Sequence, residues 1–290
     1  MLKIIEKTKI WFAISAIIIV IGLGTIATKG LEYGLDFVGG TVVQFNITKD
    51  FNKADIDTIV KKYDKDAQTN KVNNTYIEIK SAKLSSADIS SIEKDVKAKF
   101  KDSSLTNRET IGASIGKETR NKDIQAVAIA VLAILAYVAL RFEFKFGIAA
   151  ILSLLHDVLI MLSVYAIFRI QIDSSFIAAI LTVIGYSIND TIVVFDRVRE
   201  NHKYMRRASD TELANASLTQ TMARSINTVL TVVIMLVAVY AYVPSIRNFS
   251  QPLLVGIVSG CYSSIFIATP VWVILKNMGK KNKKALNPAK

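Results

Sequence analysis

The chain has 290 residues, 51% of them apolar, and a formal net charge of +12. So much apolar sequence in long runs predicts a membrane protein and excludes an ordinary soluble enzyme. The single cysteine, Cys261, excludes an internal disulfide framework.

Six apolar stretches are long enough to cross a bilayer, which takes roughly 17–25 residues as a helix. We interpret the first as a retained helix because no small-x-small cleavage site follows it. The fold class is therefore an α-helical polytopic membrane protein, with spans at about 10–28, 123–140, 147–168, 174–195, 225–243 and 253–275.

The basic residues are distributed unevenly along this topology. Residues 29–123 are almost neutral, with 17 Lys and Arg against 15 Asp and Glu, and the two other loops on that side hold only Arg169 and Arg247. The opposite side carries the remaining excess, including a basic tail over residues 276–290. Since cytoplasmic loops are enriched in Lys and Arg, both termini are expected in the cytoplasm and residues 29–122 outside it. The charge is thus a topogenic signal that also attracts anionic lipid, and no nucleic-acid partner is expected.

Residues 29–122 predict one small α+β domain between the first two spans. Residues 41–47 and 75–80 alternate as strands, and the Asn73-Asn74 pair before the second suits a tight turn, so a shorter strand around 68–72 would complete a hairpin. Residues 105–112 are expected to form a last strand, and apolar periodicity at 56–63 and 89–100 predicts two helices. Ser85 and Asp88 are spaced as a capping box for the second helix. The β-α-β-β-α-β order suggests a ferredoxin-like sandwich. The domain has no histidine and no cysteine, so we expect it to contact another macromolecule or to act as a spacer.

Asp190 is the only formal charge in the fourth span. A carboxylate inside a bilayer costs roughly 2.5–3.5 kcal/mol on insertion scales, so it usually pairs, takes up a proton or lines a polar path. Tyr186 lies one turn away on the same face, and Asn189 adds an amide. We therefore predict an ion-transport role for Asp190, with snorkelling to the surface as the alternative.

Arg224 begins the fifth span, and Thr228 and Thr231 continue its helix face at i+4 and i+7. Its position fits a simple positive-inside anchor. A long arginine side chain could also fold inward and pair with Asp190. The residues alone leave both interpretations open.

Asp157 lies near the middle of the third span, where a charge is at least as costly as at position 190. The preceding residue, His156, points to an adjacent helix face, so we expect no easy contact between the two side chains. Asp157 is expected either to hold helices together by hydrogen bonds or to act as a proton relay. His202 is the only other histidine, so no metal site is expected, and nothing in the sequence suggests a cofactor.

Two further segments carry structural predictions. The small residues Gly256, Gly260 and Ser264 recur every four positions and predict close approach of another helix. Residues 197–222 predict a partly helical cytoplasmic connector along the membrane.

Several motifs resemble the SecD/SecF family of protein-translocation accessory subunits, in family order and spacing. Asp36-Phe37 and Asn189-Asp190 favour the SecF branch. Cys261 and Phe144 depart slightly from the family pattern, where threonine and tryptophan are commoner. The motifs are Gly34–Gly40, Ile111–Glu118, Arg141–Phe144, His156-Asp157, Gly185–Asn201, Arg224–Thr228 and Gly260–Ser264.

The resemblance implies a six-helix half of a fold similar to resistance-nodulation-division (RND) transporters, with SecD supplying the other half. It implies a non-enzymatic role in which an ion gradient, of protons first, promotes late steps of preprotein translocation through the SecYEG channel with the SecA ATPase. It also implies that Asp190 and Arg224 belong to the ion pathway, and it makes SecD one candidate neighbour for the small-residue stripe. The implied location is the bacterial cytoplasmic membrane.

Two other functions compete with this one. Half of an RND-type exporter of small molecules or lipids would share the fold, although exporters usually carry much larger extracytoplasmic domains. An intramembrane aspartyl protease could use Asp157 and Asp190, but Ser187-Ile188-Asn189-Asp190 lacks the Gly-x-Gly-Asp pattern. No phosphate-binding loop is present, which disfavours nucleotide-driven pumping.

Overall fold

The computed structural model describes residues 2–72, 74–141 and 143–286, without the side chains of residues 139 and 279–286. The predicted Asn73-Asn74 turn, Phe142 of one family motif and the end of the basic tail therefore lie partly or wholly outside the described residues.

Within the described part of the chain, six helices are long and apolar enough to cross a membrane. The sixth is built from two α-helices joined by a π-helical segment, Ser264–Ala268. The helices are α1 (Thr8–Lys29), α5 (Ala113–Arg141), α6 (Phe144–Ile167), α7 (Ser174–Tyr204), α8 (Asp210–Tyr242) and α9–α10 (Arg247–Ser263 and Thr269–Leu286).

The connector predicted over residues 197–222 is partly helical, as expected, but it is not a separate element. α7 continues to Tyr204, and α8 begins at Asp210, so only a short turn separates two long helices. Ser209 starts α8 with a capping box, because its hydroxyl accepts from the Glu212 N–H while the Glu212 carboxylate accepts from the Ser209 N–H. Apolar periodicity ends at the membrane surface, but these polar caps let the helices run beyond it.

The segment between α1 and α5 contains the predicted strands and helices. A single helical turn, α2 (Leu35–Val38), precedes a four-stranded sheet whose order is β2-β3-β1-β4, with all neighbours antiparallel. The elements are β1 (Gly40–Asn46), α3 (Lys53–Val60), β2 (Gln68–Val72), β3 (Tyr76–Ser81), α4 (Ser86–Lys99) and β4 (Ser104–Ile111).

Apolar side chains from alternate positions of β1 and β3 form the domain core with α3 and α4. Phe45 and Ile77 are buried on that face, and Ile56 and Ile92 meet them from the two helices. The predicted capping box at Ser85 and Asp88 is confirmed at the start of α4.

A clamp fixes the start of the domain to the end of the helix bundle that carries the α6–α7 loop. The Gly34 N–H donates to the Ile172 carbonyl at 2.8 Å, and the Ile172 N–H donates to the Glu32 carbonyl at 2.8 Å. Arg169 adds an ion pair with the Glu32 carboxylate at 2.8 Å. The chain leaving α1 is therefore held against the α6–α7 loop.

The helices of the bundle differ in how much of their surface they bury. α6 and α9–α10 are largely buried, whereas α1, α5 and α8 expose most of their apolar residues. α7 and α9 pack along each other, and α6 packs on α1 and α9. The interior polar groups lie on α6, α7 and α9.

Candidate functional site

Asp157 lies in the centre of the bundle and is 1% exposed. Three serine hydroxyls donate to its carboxylate at 2.7 Å each: Ser259 to Oδ1, and Ser187 and Ser263 to Oδ2. A carboxylate can accept about four hydrogen bonds. These three donors and one further contact use nearly all of that capacity. The contacts join α6 to α7 and α9.

The fourth contact comes from the neighbouring residue. His156 Nδ1 lies 3.1 Å from Asp157 Oδ1, so the expectation that the two side chains could not easily meet is wrong. Although consecutive Cβ atoms of a helix point about 100° apart, the imidazole is long enough to turn back along the helix. Its other nitrogen, Nε2, pairs with the Ser15 hydroxyl at 2.8 Å, which connects α1 to the same network.

Asp157, His156, Ser15, Ser187, Ser259 and Ser263 form one hydrogen-bonded unit, which we call the serine hub. The two carboxylate oxygens of Asp157 are the shared acceptors of the hub. Apart from the contact between the neighbours His156 and Asp157, every contact of the hub joins two helices of this one chain. The arrangement favours the structural interpretation of Asp157 over the relay.

The small-residue stripe packs beside the hub. A Cβ on Gly256 would lie 2.3 Å from a Val183 methyl, and one on Gly260 would lie 3.0 Å from Ser187 Cβ. Both glycines therefore let α9 approach α7 of the same chain, so the helix that this stripe accommodates is α7 and not one of SecD. Ser264 Oγ lies 2.8 Å from the Thr191 hydroxyl of α7, one helical turn further along the same contact.

Asp190 is placed quite differently. It is only part-buried, and the Ser225 hydroxyl of α8 donates to its Oδ1 at 2.7 Å. Its Oδ2 is buried and has no hydrogen-bond partner among the described residues, and the same holds for the Tyr186 hydroxyl one turn away. A buried polar atom without a partner costs about 1–3 kcal/mol. The structure thus brings the predicted pair of Asp190 and Tyr186 together, but each side chain keeps a buried polar atom without a hydrogen-bond partner among the described residues.

Arg224 is exposed, and in the described part of the chain no ion pair within 4.0 Å joins it to Asp190. The Arg224 charge lies near enough to act electrostatically on Asp190, but the residue that hydrogen-bonds the carboxylate is its neighbour Ser225, on the side of α8 facing α7. Thr228 and Thr231 are exposed and donate to carbonyls of their own helix at 2.8 Å. Asn189 is exposed as well.

These residues share one surface formed by α7 and α8, which we call the open face. It carries an unusual density of polar groups for a helix surface at membrane depth. Gly185 also lies on it, and a Cβ added to this glycine would meet nothing within 4 Å. The open face consists of Thr182, Gly185, Tyr186, Asn189, Asn227, Thr228 and Thr231.

The sequence reasoning missed the serines that define both acid environments. A serine in a membrane helix often bonds only its own backbone, so residue type alone does not single out the serines that contact Asp157 and Asp190. They are Ser187, Ser225, Ser259 and Ser263. One signal was available: Ser259 and Ser263 are four residues apart and therefore lie on one helix face.

A further acid lies just outside the membrane span, before the first residue of α7. Asp173 Oδ1 accepts from the Phe176 N–H at 3.0 Å, and Asn248 donates to Oδ2 at 3.0 Å. Burial, together with the nearby Asp36 carboxylate, raises the pKa of Asp173 above its ordinary value. Asp36 itself accepts from the Ser174 N–H at 3.2 Å, so two carboxylates share this helix N-terminus.

No group of three or more His, Cys, Asp or Glu side chains within the described ranges could hold a metal ion.

Comparison with known proteins places the chain in a family. The family described as "Protein export membrane protein SecD/SecF, C-terminal" matches residues 91–278, and the "SecD/SecF GG Motif" matches residues 24–50. A protein translocase subunit SecF from Sebaldella termitidis is 36% identical over all of this chain and 96% of its own length. One from Haemophilus influenzae is 37% identical over 93% of this chain and 84% of its own. The chain belongs to the SecF family of protein translocase subunits.

Longer relatives contain this sequence as one part. The protein translocase subunit SecDF of Bacillus subtilis is 39% identical over 96% of this chain, which covers 38% of the SecDF length. The crystal structure of SecDF from Thermus thermophilus, described as a translocon-associated membrane protein, superposes with a TM-score of 0.83 at 31% identity, over 95% of this chain and 39% of that one. The chain thus spans about two fifths of the SecDF proteins it matches. As a SecF family member with six apolar helices, it is a multi-pass membrane protein with a role in protein translocation.

Proposed function

We propose that this chain is the SecF half of a SecD–SecF complex and uses an ion gradient to promote late steps of preprotein translocation through SecYEG and SecA. Protons are the first candidate for the ion. The observation that carries the proposal is the buried, unpartnered Oδ2 of Asp190 beside the Tyr186 hydroxyl, which has no partner among the described residues either. An acid with one unused oxygen at membrane depth can take up a proton or face a polar group of another chain.

The open face supports SecD as the partner. The name SecDF joins SecD and SecF in one longer chain, and the present sequence covers only about two fifths of that chain. We propose that the rest of such a complex covers α7 and α8 and completes the surroundings of Asp190. The bundle would then be one half of an RND-type transporter, and the stripe of exposed Asn and Thr would meet polar groups of the other half.

Arg224 fits this proposal as a movable cation. Its side chain is exposed, and one residue later Ser225 already holds Asp190. Rotation of the arginine toward Oδ2 would supply the counter-charge that favours the ionised carboxylate. We propose that Asp190 alternates between this paired state and a protonated one, with Asp157 as a fixed structural group.

The proposed setting follows the distribution of charge. The similarity to bacterial SecF subunits supports a bacterial cytoplasmic membrane, and the basic excess favours both termini in the cytoplasm and the sheet domain outside. The β-α-β-β-α-β order and antiparallel β2-β3-β1-β4 sheet support a ferredoxin-like assignment for that domain. The protein would act without enzymatic chemistry of its own.

The test is preprotein translocation in proteoliposomes that contain SecYEG, SecA, SecD and this chain, with an imposed proton gradient. Asp190→Asn should remove the gradient-stimulated part and leave ATP-driven translocation unchanged. Asp196→Asn is the matched control, because it makes the same change six residues later in the same helix, where Asp196 pairs with Arg199 near the helix surface. Full stimulation with Asp190→Asn would refute the relay.

The same vesicles separate the alternatives. A sodium gradient in place of the proton gradient identifies the coupling ion. Gradient-dependent loss of a fluorescent lipid or drug, with no effect on preprotein, would favour an RND-type exporter.

A further inference from the structure

A basic crevice lies on the end of the bundle that carries the N-terminus, away from the open face. It has a volume of about 200 Å³ and lies between the start of α6, the extension of α7 and the first half of α10. Two different helices contribute cations to it: Arg199 and Lys203 from α7, and Lys276 from α10. Such convergence exceeds what positive-inside topology requires, because a topogenic charge needs only the correct side of the membrane.

The floor of the crevice is aromatic and rigid. The rings of Phe146 and Trp272 stack with centroids 5.0 Å apart and planes 7° apart, and both side chains are almost completely buried. Phe146 is near the first residue of its membrane span and Trp272 near the end of its own. Aromatic residues concentrate at the level of the lipid headgroups, so the floor marks the crevice as interfacial.

The cations on the rim are available for an anion. In the described structure, neither Lys203 nor Lys276 has an ion-pair partner. The ammonium of Lys276 lies 5.8 Å from the centre of the Trp272 ring, which keeps it above the floor. Arg199 is shared with Asp196 at 3.3 Å, and Glu143 adds one acid to the rim. The balance remains positive, and the exposed His202, which also lines the crevice, can only increase it.

We propose that this crevice binds the phosphodiester of an anionic phospholipid from the adjacent leaflet. The two lysines would contact the phosphate as point charges, and the glycerol and first acyl carbons would lie on the aromatic floor. A basic pocket between transmembrane helices at headgroup level is a recurring lipid site. The apolar floor and the membrane depth favour a lipid over a free phosphate compound. The site is independent of the ion-coupling proposal and requires only that the bundle is in a bilayer.

The experiment is a lipid titration of the full chain in mild detergent, followed by native mass spectrometry, with phosphatidylglycerol and phosphatidylcholine as probes. The wild-type chain should bind phosphatidylglycerol at least about tenfold more tightly. Lys203→Gln combined with Lys276→Gln should weaken its binding about 25-fold, since each lysine near an anionic headgroup contributes roughly fivefold. Lys203→Arg with Lys276→Arg should retain the preference, which would show that charge, not lysine packing, is responsible.

The matched control removes two charges from the same end of the molecule, outside the crevice. Arg206→Gln with Arg207→Gln alters two exposed residues in the α7–α8 turn and should change the affinity less than about threefold. An equal loss of phosphatidylglycerol affinity in both double variants would show that only the general positive charge matters. That result would overturn the proposed site. So would equal binding of the two lipids, or displacement of phosphatidylglycerol by micromolar glycerol phosphate, which would assign the crevice to a free phosphate compound.

Discussion

The two intramembrane acids of this chain occupy opposite kinds of environment. Asp157 is enclosed in the bundle and contacts three serines and His156. Asp190 is beside the open face, with one oxygen held by Ser225 and the other without a partner among the described residues. Depth alone would have ranked Asp157 as the better relay candidate.

We propose that hydrogen-bond saturation, and not depth, separates the roles of the two acids. A fully paired carboxylate has its charge state fixed by its surroundings and would have to break several bonds to take up a proton. An incompletely paired one can change state at low cost. In this proposal Asp157 holds the helices of the bundle together through hydrogen bonds. Asp190 is a site whose second carboxylate oxygen is paired by another chain or by an ion.

The largest expected effect comes from removing the Asp157 carboxylate, which holds the serine hub together. Asp157→Ala would leave the three serine donors and His156 without their acceptor, and each buried unsatisfied group costs about 1–3 kcal/mol. Summed over these four groups, we expect a loss of unfolding free energy of at least about 4 kcal/mol, measured by thermal or denaturant unfolding in detergent. Asp190→Ala is the comparison, with an expected loss below about 1.5 kcal/mol because it removes one bond only. Equal losses of unfolding free energy would contradict the different structural roles of Asp157 and Asp190.

Glycines on the two sides of α7 provide a second, smaller contrast. Gly256→Ala would place a methyl 2.3 Å from Val183 and 2.8 Å from the Met161 sulfur, and overpacking of this kind costs roughly 1–3 kcal/mol. Gly185→Ala adds the same methyl on the open face, where nothing lies within 4 Å. We expect a lower Tm for the first and an unchanged Tm for the second.

The open-face variant has its own readout. If SecD packs against α7, a larger change at this position, Gly185→Leu, should reduce the amount of SecD that co-purifies without lowering the Tm of the isolated chain. Undiminished co-purification would place the partner elsewhere.

Much of this architecture was predictable because it rests on local signals. Apolar runs indicated six spans, alternation indicated β1 and β3, a hairpin turn indicated a strand around Gln68–Val72, and Ser85 with Asp88 indicated a helix start. The continuity of α7 and α8 with the helical parts of the connector was not predicted, because their polar surfaces carry no membrane signal.

The site was less predictable, since its contacts join residues distant in sequence. Ser259 and Ser263 reach Asp157 across 102 and 106 positions. Which side of α8 faces α7 decides whether Ser225 or Arg224 meets Asp190, and a shift of one residue rotates that choice by about 100°. Helix packing, not local sequence, settles it.

The smallest expected effect concerns the third acid, at the outer end of the helix that carries Asp190. Because burial and Asp36 raise the pKa of Asp173, the folded state binds its proton more tightly than the unfolded state. Stability from this group is present at low pH and is lost as pH rises from the ordinary value of 3.8 through the folded pKa.

Asp173→Asn keeps an oxygen for the Phe176 N–H and removes the titration. The variant should therefore show a flatter dependence of Tm on pH in that window and no loss of stability at neutral pH. A pH slope identical to that of the wild type would contradict the assignment.

The most direct test compares Asp157→Asn with Asp190→Asn in one set of proteoliposomes, with Tm and gradient-stimulated translocation measured on the same preparations. We predict that Asp157→Asn lowers Tm but keeps the gradient response of the protein that remains folded. Asp190→Asn should keep the Tm and lose the response. A gradient response that survives in Asp190→Asn and disappears in Asp157→Asn, while both remain folded, would contradict the account.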